Sequence, residues 1–295
     1  MKNVFVLFVF ILISCTAYSG DKDRFFKMSA GEIDSLLSVT AQKQMTITER
    51  MNFFSAYFLE TPYSFTCVGD GPYALYETYP LVNFEETNCM AYCEHVLALS
   101  ISDSWDNFFN NLQHIRYKDG LIGMRTRNHY TMADWLPENR WLLTDVSRQV
   151  AGDLTKSVTR TISHQAFFAG KKITDMRHVQ PDREITIDYI PSDALLAIKK
   201  NLKTGDIGAL IFANKTNIFS AHMFMVIKQD DKLIIRESST STMSTFETEY
   251  EKWAEAVKNR DRYIGIALMR VNEQLNTAGN LIFPTEINQL EKKSQ

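Results

Sequence analysis

The sequence predicts an α+β fold in which helices pack on an antiparallel sheet and a helical segment precedes the main domain. Three observations predict it. Helical spacing with capping signals dominates the early part of the chain. Short apolar, strand-like runs broken by turn signals dominate the late part. The two kinds of pattern follow one another rather than alternate, which separates α+β from α/β chains. The composition is that of a folded globular protein: 295 residues, 45% hydrophobic, 12% aromatic and 23% charged. It excludes a disordered or fibrous chain. A formal net charge of −3 argues against a dedicated nucleic-acid binder, which carries a basic excess. Four cysteines are too few for a disulfide scaffold, and Gly 12 with Pro 7 leave no long flexible linker.

Taken in order, the chain opens with Met1-Lys2 and a ten-residue apolar run, Val4 to Ile13. The run is shorter than the roughly 20 residues a bilayer-spanning helix needs, and reads as a secretory leader over 1–19. Two processing readings compete. Ala17-Tyr18-Ser19 before Gly20 has the small-x-small form of a cleavage site, and Leu12-Ile13-Ser14-Cys15 has the form of a lipoprotein box that would lipidate Cys15. Either way the mature chain is expected outside the cytoplasm, in the periplasm, on the outer membrane or secreted. Its membrane link would be a lipid at Cys15 alone.

A helical segment is expected over 20–66, with two helices in it. Ser29 with Glu32 and Thr46 with Glu49 have capping-box spacing, and Leu36, Leu37, Phe53, Phe54, Tyr57 and Phe58 would form the apolar faces. Thr61-Pro62 stops the second helix. The main domain is expected over 67–285. It begins with a loop containing Gly69-Asp70-Gly71-Pro72, then helices at 89–100 and at 103–114, the latter capped by Ser102 or Asp103. The segment 115–147 has no clean period. A strand is expected around Ile185–Tyr189 and a short helix at 193–201. Strands follow at 207–212, 222–227 and 232–236, the last two joined by the turn Gln229-Asp230-Asp231. A helical stretch at 247–258 and a fourth strand at 263–269 close the domain, and the polar tail 286–295 is expected to be loose.

Cys89 opens a predicted helix, where free N–H groups and the helix dipole favour a thiolate. The bland alternatives are a small buried apolar residue or half of a disulfide. His222 begins a predicted strand, and the hairpin brings Glu237 onto the strand beside it. A thiol nucleophile needs a base in reach, and the base needs a third group to fix its tautomer. The combination of cysteine, histidine and carboxylate therefore carries more weight than any member. His114, His164 and His178 share no ligand spacing, so no metal is expected. His95 is expected to face solvent, and Met45, Met51, Met223 and Met225 to fill core.

These residues lie in recognisable motifs. Asn88-Cys89-Met90-Ala91-Tyr92-Cys93-Glu94-His95-Val96-Leu97-Ala98-Leu99 resembles the nucleophile segment of a bacterial N-acetylmuramoyl-L-alanine amidase-like family within the NlpC/p60 superfamily of papain-like cell-wall cysteine hydrolases. Ile115-Arg116-Tyr117, Arg127-Asn128-His129-Tyr130, Asp134-Trp135 with Asn139, Gly205-Asp206-Ile207, Ser220-Ala221-His222, and Tyr263-Ile264-Gly265-Ile266 with Arg270 resemble its later motifs in order. The resemblance runs from about residue 70 to 270. It implies a papain-like NlpC/p60 core and hydrolysis of the amide between N-acetylmuramic acid and L-alanine in peptidoglycan, with no cofactor. Cys89 would attack, His222 would carry the proton, and Glu237 would orient the histidine. The substrate-binding residues it implies are Asn88, Tyr92, Glu94, Arg127, His129, Tyr130 and Trp135, an Arg clamping a carboxylate and a Trp or Tyr stacking on a sugar.

Departures from the pattern mark where this chain differs. Asn88 and Ala91 stand where Asp and Thr are usual, and Glu237 stands where the third catalytic member is usually histidine. Cys93 replaces a usual Val. In an oxidising compartment paired thiols tend to join, and a Cys67–Cys93 disulfide that leaves Cys89 free is expected. The alternatives to the amidase are a stem-peptide endopeptidase of the same fold, a binding protein that has lost turnover, and an exported effector using the same machinery.

Overall fold

Reciprocal hydrogen bonds at the first two helices fix where the chain begins to turn. Ser29 N donates to Glu32 Oε2 at 2.8 Å and Ser29 Oγ accepts from Glu32 N at 3.3 Å. Thr46 and Glu49 repeat the arrangement, with Thr46 N 2.7 Å from Glu49 Oε2. These boxes start α1 (Ala30–Ala41) and α2 (Ile47–Tyr57) at the positions expected. The structure, a computed structural model, describes residues 24–177 and 179–294. The leader, both processing readings with Cys15, and His178 lie outside the described residues.

The helices continue with α3 (Cys89–Ser100) and α4 (Trp105–Arg116). The cap of α4 is Ser104, whose Oγ accepts from Asn107 N at 3.4 Å. The aperiodic segment contains a five-residue π-helical turn, Thr131–Trp135, running into the short α5 (Leu136–Glu138). Then come β1 (Leu143–Asp145), α6 (Ser147–Ala151), β2 (Lys156–Ile162), α7 (His164–Gly170) and β3 (Arg183–Pro191). The remainder is β4 (Ile207–Phe212), β5 (Ser220–Gln229), β6 (Lys232–Ser239), β7 (Ser244–Glu249), α8 (Tyr250–Lys258), β8 (Tyr263–Val271) and α9 (Pro284–Ser294).

The strands form one eight-stranded antiparallel sheet in the order β2-β3-β8-β4-β5-β6-β7, with β1 also paired to β8. Each face carries its own core. Met223, Met225 and Ile227 join Ile207, Ala209 and Met269 on the face that packs against α3 and the N-terminal helices. Phe224 and Val226 join Leu210, Ile235 and Leu268 on the face covered by α8. This is the period-2 alternation of a strand buried on both sides. Gly208 is paired with Phe224, and a Cβ there would stand 2.0 Å from the Phe224 ring, so the ring occupies the space a side chain would need. Gly265 has φ 157°, and a Cβ there would fall 1.9 Å from the Ile190 carbonyl oxygen, where β3 crosses β8.

Four further expectations are corrected, and one stretch that carried no expectation forms a strand. The helix expected at 193–201 is two 3₁₀ turns, Ser192–Ala194 and Lys199–Asn201, although Ala194, Leu195, Ile198 and Leu202 are buried at helical spacing; apolar spacing alone does not fix a continuous α-helix here. The stretch 156–162 is a strand, pairing throughout its length with β3; Lys156, Ser157, Thr159 and Thr161 are exposed, so its alternation is masked by polar side chains. The helix expected from 247 begins at Tyr250, after β7 has paired with β6. The tail is not loose: α9 buries Ile287 and packs against α4. His95 does not face solvent but is fully buried among the rings of Phe58, Phe84 and Phe108.

The N-terminal helices belong to the same core as α3. Phe25, Phe54, Phe58 and Phe84 form an aromatic cluster that reaches Tyr92. Buried Arg50 of α2 donates to Ser100 O at 2.5 Å, at the C-terminal end of α3, as well as to Met45 O and Asn280 O. Placing a cation against the terminal carbonyls of α3 matches the sign of that helix end. No helix among the described residues is long and apolar enough to cross a membrane.

Candidate active site

Asn88 decides where α3 starts. Its backbone is extended, and its Oδ1 accepts from Met90 N at 3.1 Å and Ala91 N at 2.9 Å. The first N–H of the helix, that of Cys89, is left without a hydrogen-bond partner among the described residues. Asn88 Nδ2 in turn donates to Phe65 O and to Cys67 Sγ, both at 3.2 Å. This residue is therefore occupied as a cap and a loop tie.

The half-buried Cys89 and His222 of β5 lie on the wall of one cleft of about 270 Å³ and are joined side chain to side chain by a hydrogen bond. On the strand side the geometry has a local cause. Leu210 pairs with His222 while Ile211 pairs with Ser220, so Ala221 is an extra residue, a bulge directly before the histidine. Bulges bend a strand and re-aim the next side chain. Glu237 of β6 stands behind the ring, buried, with Oε2 2.5 Å from His222 Nε2. With Nε2 held by the carboxylate, Nδ1 is the nitrogen left to serve the sulfur.

The electrostatics follow. Burial pushes the Cys89 thiol up, but the charge and hydrogen bond of His222, with the backbone N–H groups of Met223 and Met90, outweigh it and hold the thiol below its ordinary value. Burial pulls His222 down, but the charge and hydrogen bond of Cys89 and then those of Glu237 reverse this and raise it to about 10. The arrangement favours a thiolate beside an imidazolium.

The other expected site residues divide sharply. Arg127 and His129 line the cleft, as does Glu94 at its buried edge. Arg127 is already engaged, 2.7 Å from Glu77 Oε2 and 3.6 Å from Asp70 Oδ1. Glu94 forms a buried ion pair with Arg116 at 2.7 Å. His129 Nε2 lies 2.7 Å from Met124 O, and burial lowers its pKa to about 4. Tyr92 and Trp135 are corrected: both are fully buried in the main core and present no face to a ligand. Tyr130 is half-buried against His164 and Phe167 rather than in the cleft. Their motifs brace the fold. Asp134 accepts from Tyr130 N at 3.1 Å and lies 2.8 Å from both His164 Nε2 and Arg183 NH2. Asp206 and Arg270 likewise form a buried bidentate pair at 2.6 and 2.8 Å. Tyr63, Phe65, Val68 and Thr131 also line the cleft, where no motif or period marks them, and Ser220 of the histidine motif joins them.

The expected Cys67–Cys93 disulfide is also corrected: the three cysteines among the described residues are free thiols. Cys67 packs beside Ala91 with Val68, whereas Cys93 faces the main core. Residues two apart on a helix point to nearly opposite sides, so contact with Ala91 carries Cys67 away from Cys93. Burial pushes Cys67 up to about 12 and raises Cys93 as well. No group of three His, Cys, Asp or Glu side chains among the described residues is placed to hold a metal ion.

Comparison with known proteins bears on this geometry. A protein from Legionella pneumophila, of the DUF1460 family, has 21% identity over 82% of this chain and 94% of its own, with a TM-score of 0.74. An N-acetylmuramoyl-L-alanine amidase from Bacteroides uniformis has 25% identity over 77% of this chain and 99% of its own, with a TM-score of 0.61. No curated protein matches the chain in sequence. The model of the AmiA-like, N-acetylmuramoyl-L-alanine amidase-like family matches residues 53–261, spanning both Cys89 and His222. The chain belongs to this amidase-like family of peptidoglycan hydrolases.

Proposed function

We propose that the protein is a cysteine amidase that cleaves the bond between N-acetylmuramic acid and L-alanine in exported cell-wall material, on a papain-like NlpC/p60 core. The observation that carries this reading is Cys89 at a helix start, hydrogen-bonded to a histidine that is itself held by Glu237. The Cys89 thiolate attacks the lactyl carbonyl carbon. The oxygen that becomes negative is met by the unpartnered Cys89 N–H. His222, as imidazolium, gives its proton to the departing alanine nitrogen, leaving a thioester on Cys89. His222 then takes a proton from water, whose oxygen attacks the thioester, and the muramic carboxylate leaves as the thiolate returns.

Glu237 was the sequence's reason to consider a binding protein without turnover. Its carboxylate reaches His222 at 2.5 Å, and this supports a working base instead. The test is incubation with disaccharide muropeptides under reducing conditions, read by mass spectrometry. Free stem peptide is expected from the parent protein and none from Cys89→Ala. Shortened stems would instead identify the endopeptidase, and an unchanged substrate would remove the enzyme reading.

A further inference from the structure

Of the rings expected to stack on a sugar, Tyr92 and Trp135 are buried and Tyr130 lies outside the cleft, yet the chain exposes others. Tyr73 is 98% exposed, Leu75 90% and Phe65 83%. Tyr76, Tyr79, Leu121 and Ile122 are exposed too. These residues come from two loops, and the same two loops build the catalytic cleft. Phe65 and Val68 line that cleft from the first loop and Arg127, Asn128 and His129 from the second. Tyr73, Leu75 and Tyr76 face Leu121 and Ile122 across a neighbouring groove of about 730 Å³ that also holds Asp70, Arg125 and Asp175. Large apolar side chains gathered in one exposed place, with polar groups among them, mark a binding surface.

The platform is held stiffly. Gly69 N, Asp70 N and Gly71 N donate to Pro80 O, Glu77 O and Tyr79 O at 2.8 to 2.9 Å. Glu77 is pinned by Arg127 at 2.7 Å and Lys171 at 2.5 Å. Arg127 therefore ties the platform to the wall of the catalytic cleft. An ordered loop that holds tyrosines out in water is prepared for flat, amphipathic rings. Pyranose rings are such ligands: their C–H faces pack on tyrosine, and the partly exposed guanidinium of Arg125, paired with Asp175 at the groove, offers donors to their hydroxyl and acetamido groups.

We infer that the Tyr73–Tyr76 loop and Leu121-Ile122 form a subsite for the N-acetylated sugar chain of the substrate, adjoining Cys89. The inference rests on the amidase reading, and binding can be measured apart from turnover. The probe is the N-acetylglucosamine tetramer, titrated calorimetrically into the Cys89→Ser protein. Saturable binding is expected, weakened about 3- to 10-fold by Tyr73→Ala or Tyr76→Ala, which remove exposed rings. Lys258→Gln, far away on α8, is the control and should leave binding unchanged. Absence of saturable binding by the Cys89→Ser protein, or indifference to both tyrosine substitutions, overturns the subsite. So does a patch that instead holds phosphatidylglycerol vesicles and loses them in Leu75→Ser. If the tetramer binds through Tyr73 while the parent hydrolyses no muropeptide, the subsite stands and the amidase reading falls. Hydrolysis without tetramer binding removes the subsite alone.

Discussion

At His222 two acidic groups compete for one imidazolium, the Cys89 thiolate on one side and the Glu237 carboxylate on the other. The sign of each shift gives a pH profile. On the acid side activity is lost as Cys89 takes a proton, and its lowered pKa puts this limb below that of an ordinary thiol. On the alkaline side activity is lost as His222 gives up its proton, near pH 10. Glu237→Gln removes one of the influences that raise His222. The alkaline limb of kcat/KM should then move to lower pH and kcat should fall roughly 10- to 1000-fold. An unmoved limb would show that Glu237 only braces the strand. Cys89, His222 and Glu237 stood out in the sequence because Cys89 opens a helix and the hairpin sets His222 and Glu237 on adjacent strands. The exposed tyrosines of the neighbouring groove did not. Tyr92 and Trp135 look the same in a string whether they fill a core or meet a substrate, and only packing separates the two.

Among the elements, capped helices were readable and polar ribbons were not. Ser29-Glu32 and Thr46-Glu49 carry their own start signals, whereas β2 and β7 are strands chiefly because β3 and β6 offer them partners. β-propensity depends on context even where Val, Ile, Thr and Phe are present, and tertiary pairing decides. Polar α9 illustrates the same point, since its apolar contribution is Ile287 with Leu290 partly buried beside it. Those two residues give the helix measurable weight. Removing residues 284–295 should cost about 2–4 kcal/mol in urea unfolding, from lost apolar burial. A midpoint unchanged by the truncation would mean that α9 does not dock in solution.

Over the whole molecule, buried histidines set the acid limit of the fold. Burial first, then the charge of Arg116, lowers His95 to about 3, and His129 is lowered to about 4. Both rings stay neutral in the folded state while the unfolded chain takes up protons below about pH 6.5. Their contribution to stability is therefore full above that pH and is lost as pH falls toward 4 and then 3. Each ring accounts for up to ~1.4 kcal/mol per pH unit in that window. Thermal midpoints should drop between pH 6.5 and 4.5, and NMR should show neither ring titrating over that range. A His95 ring that titrates near 6.5 would contradict its burial.

The sulfur and the imidazole arrive from distant parts of the chain, one on α3 and the other on a strand formed only when the sheet is assembled. A polypeptide halted before that point carries an ordinary, sluggish thiol, and the buried sulfurs of Cys67 and Cys93 stay sluggish afterwards. Nucleophilicity at neutral pH thus appears last, so a brief pulse of alkylating reagent during refolding works as a clock that counts only finished molecules.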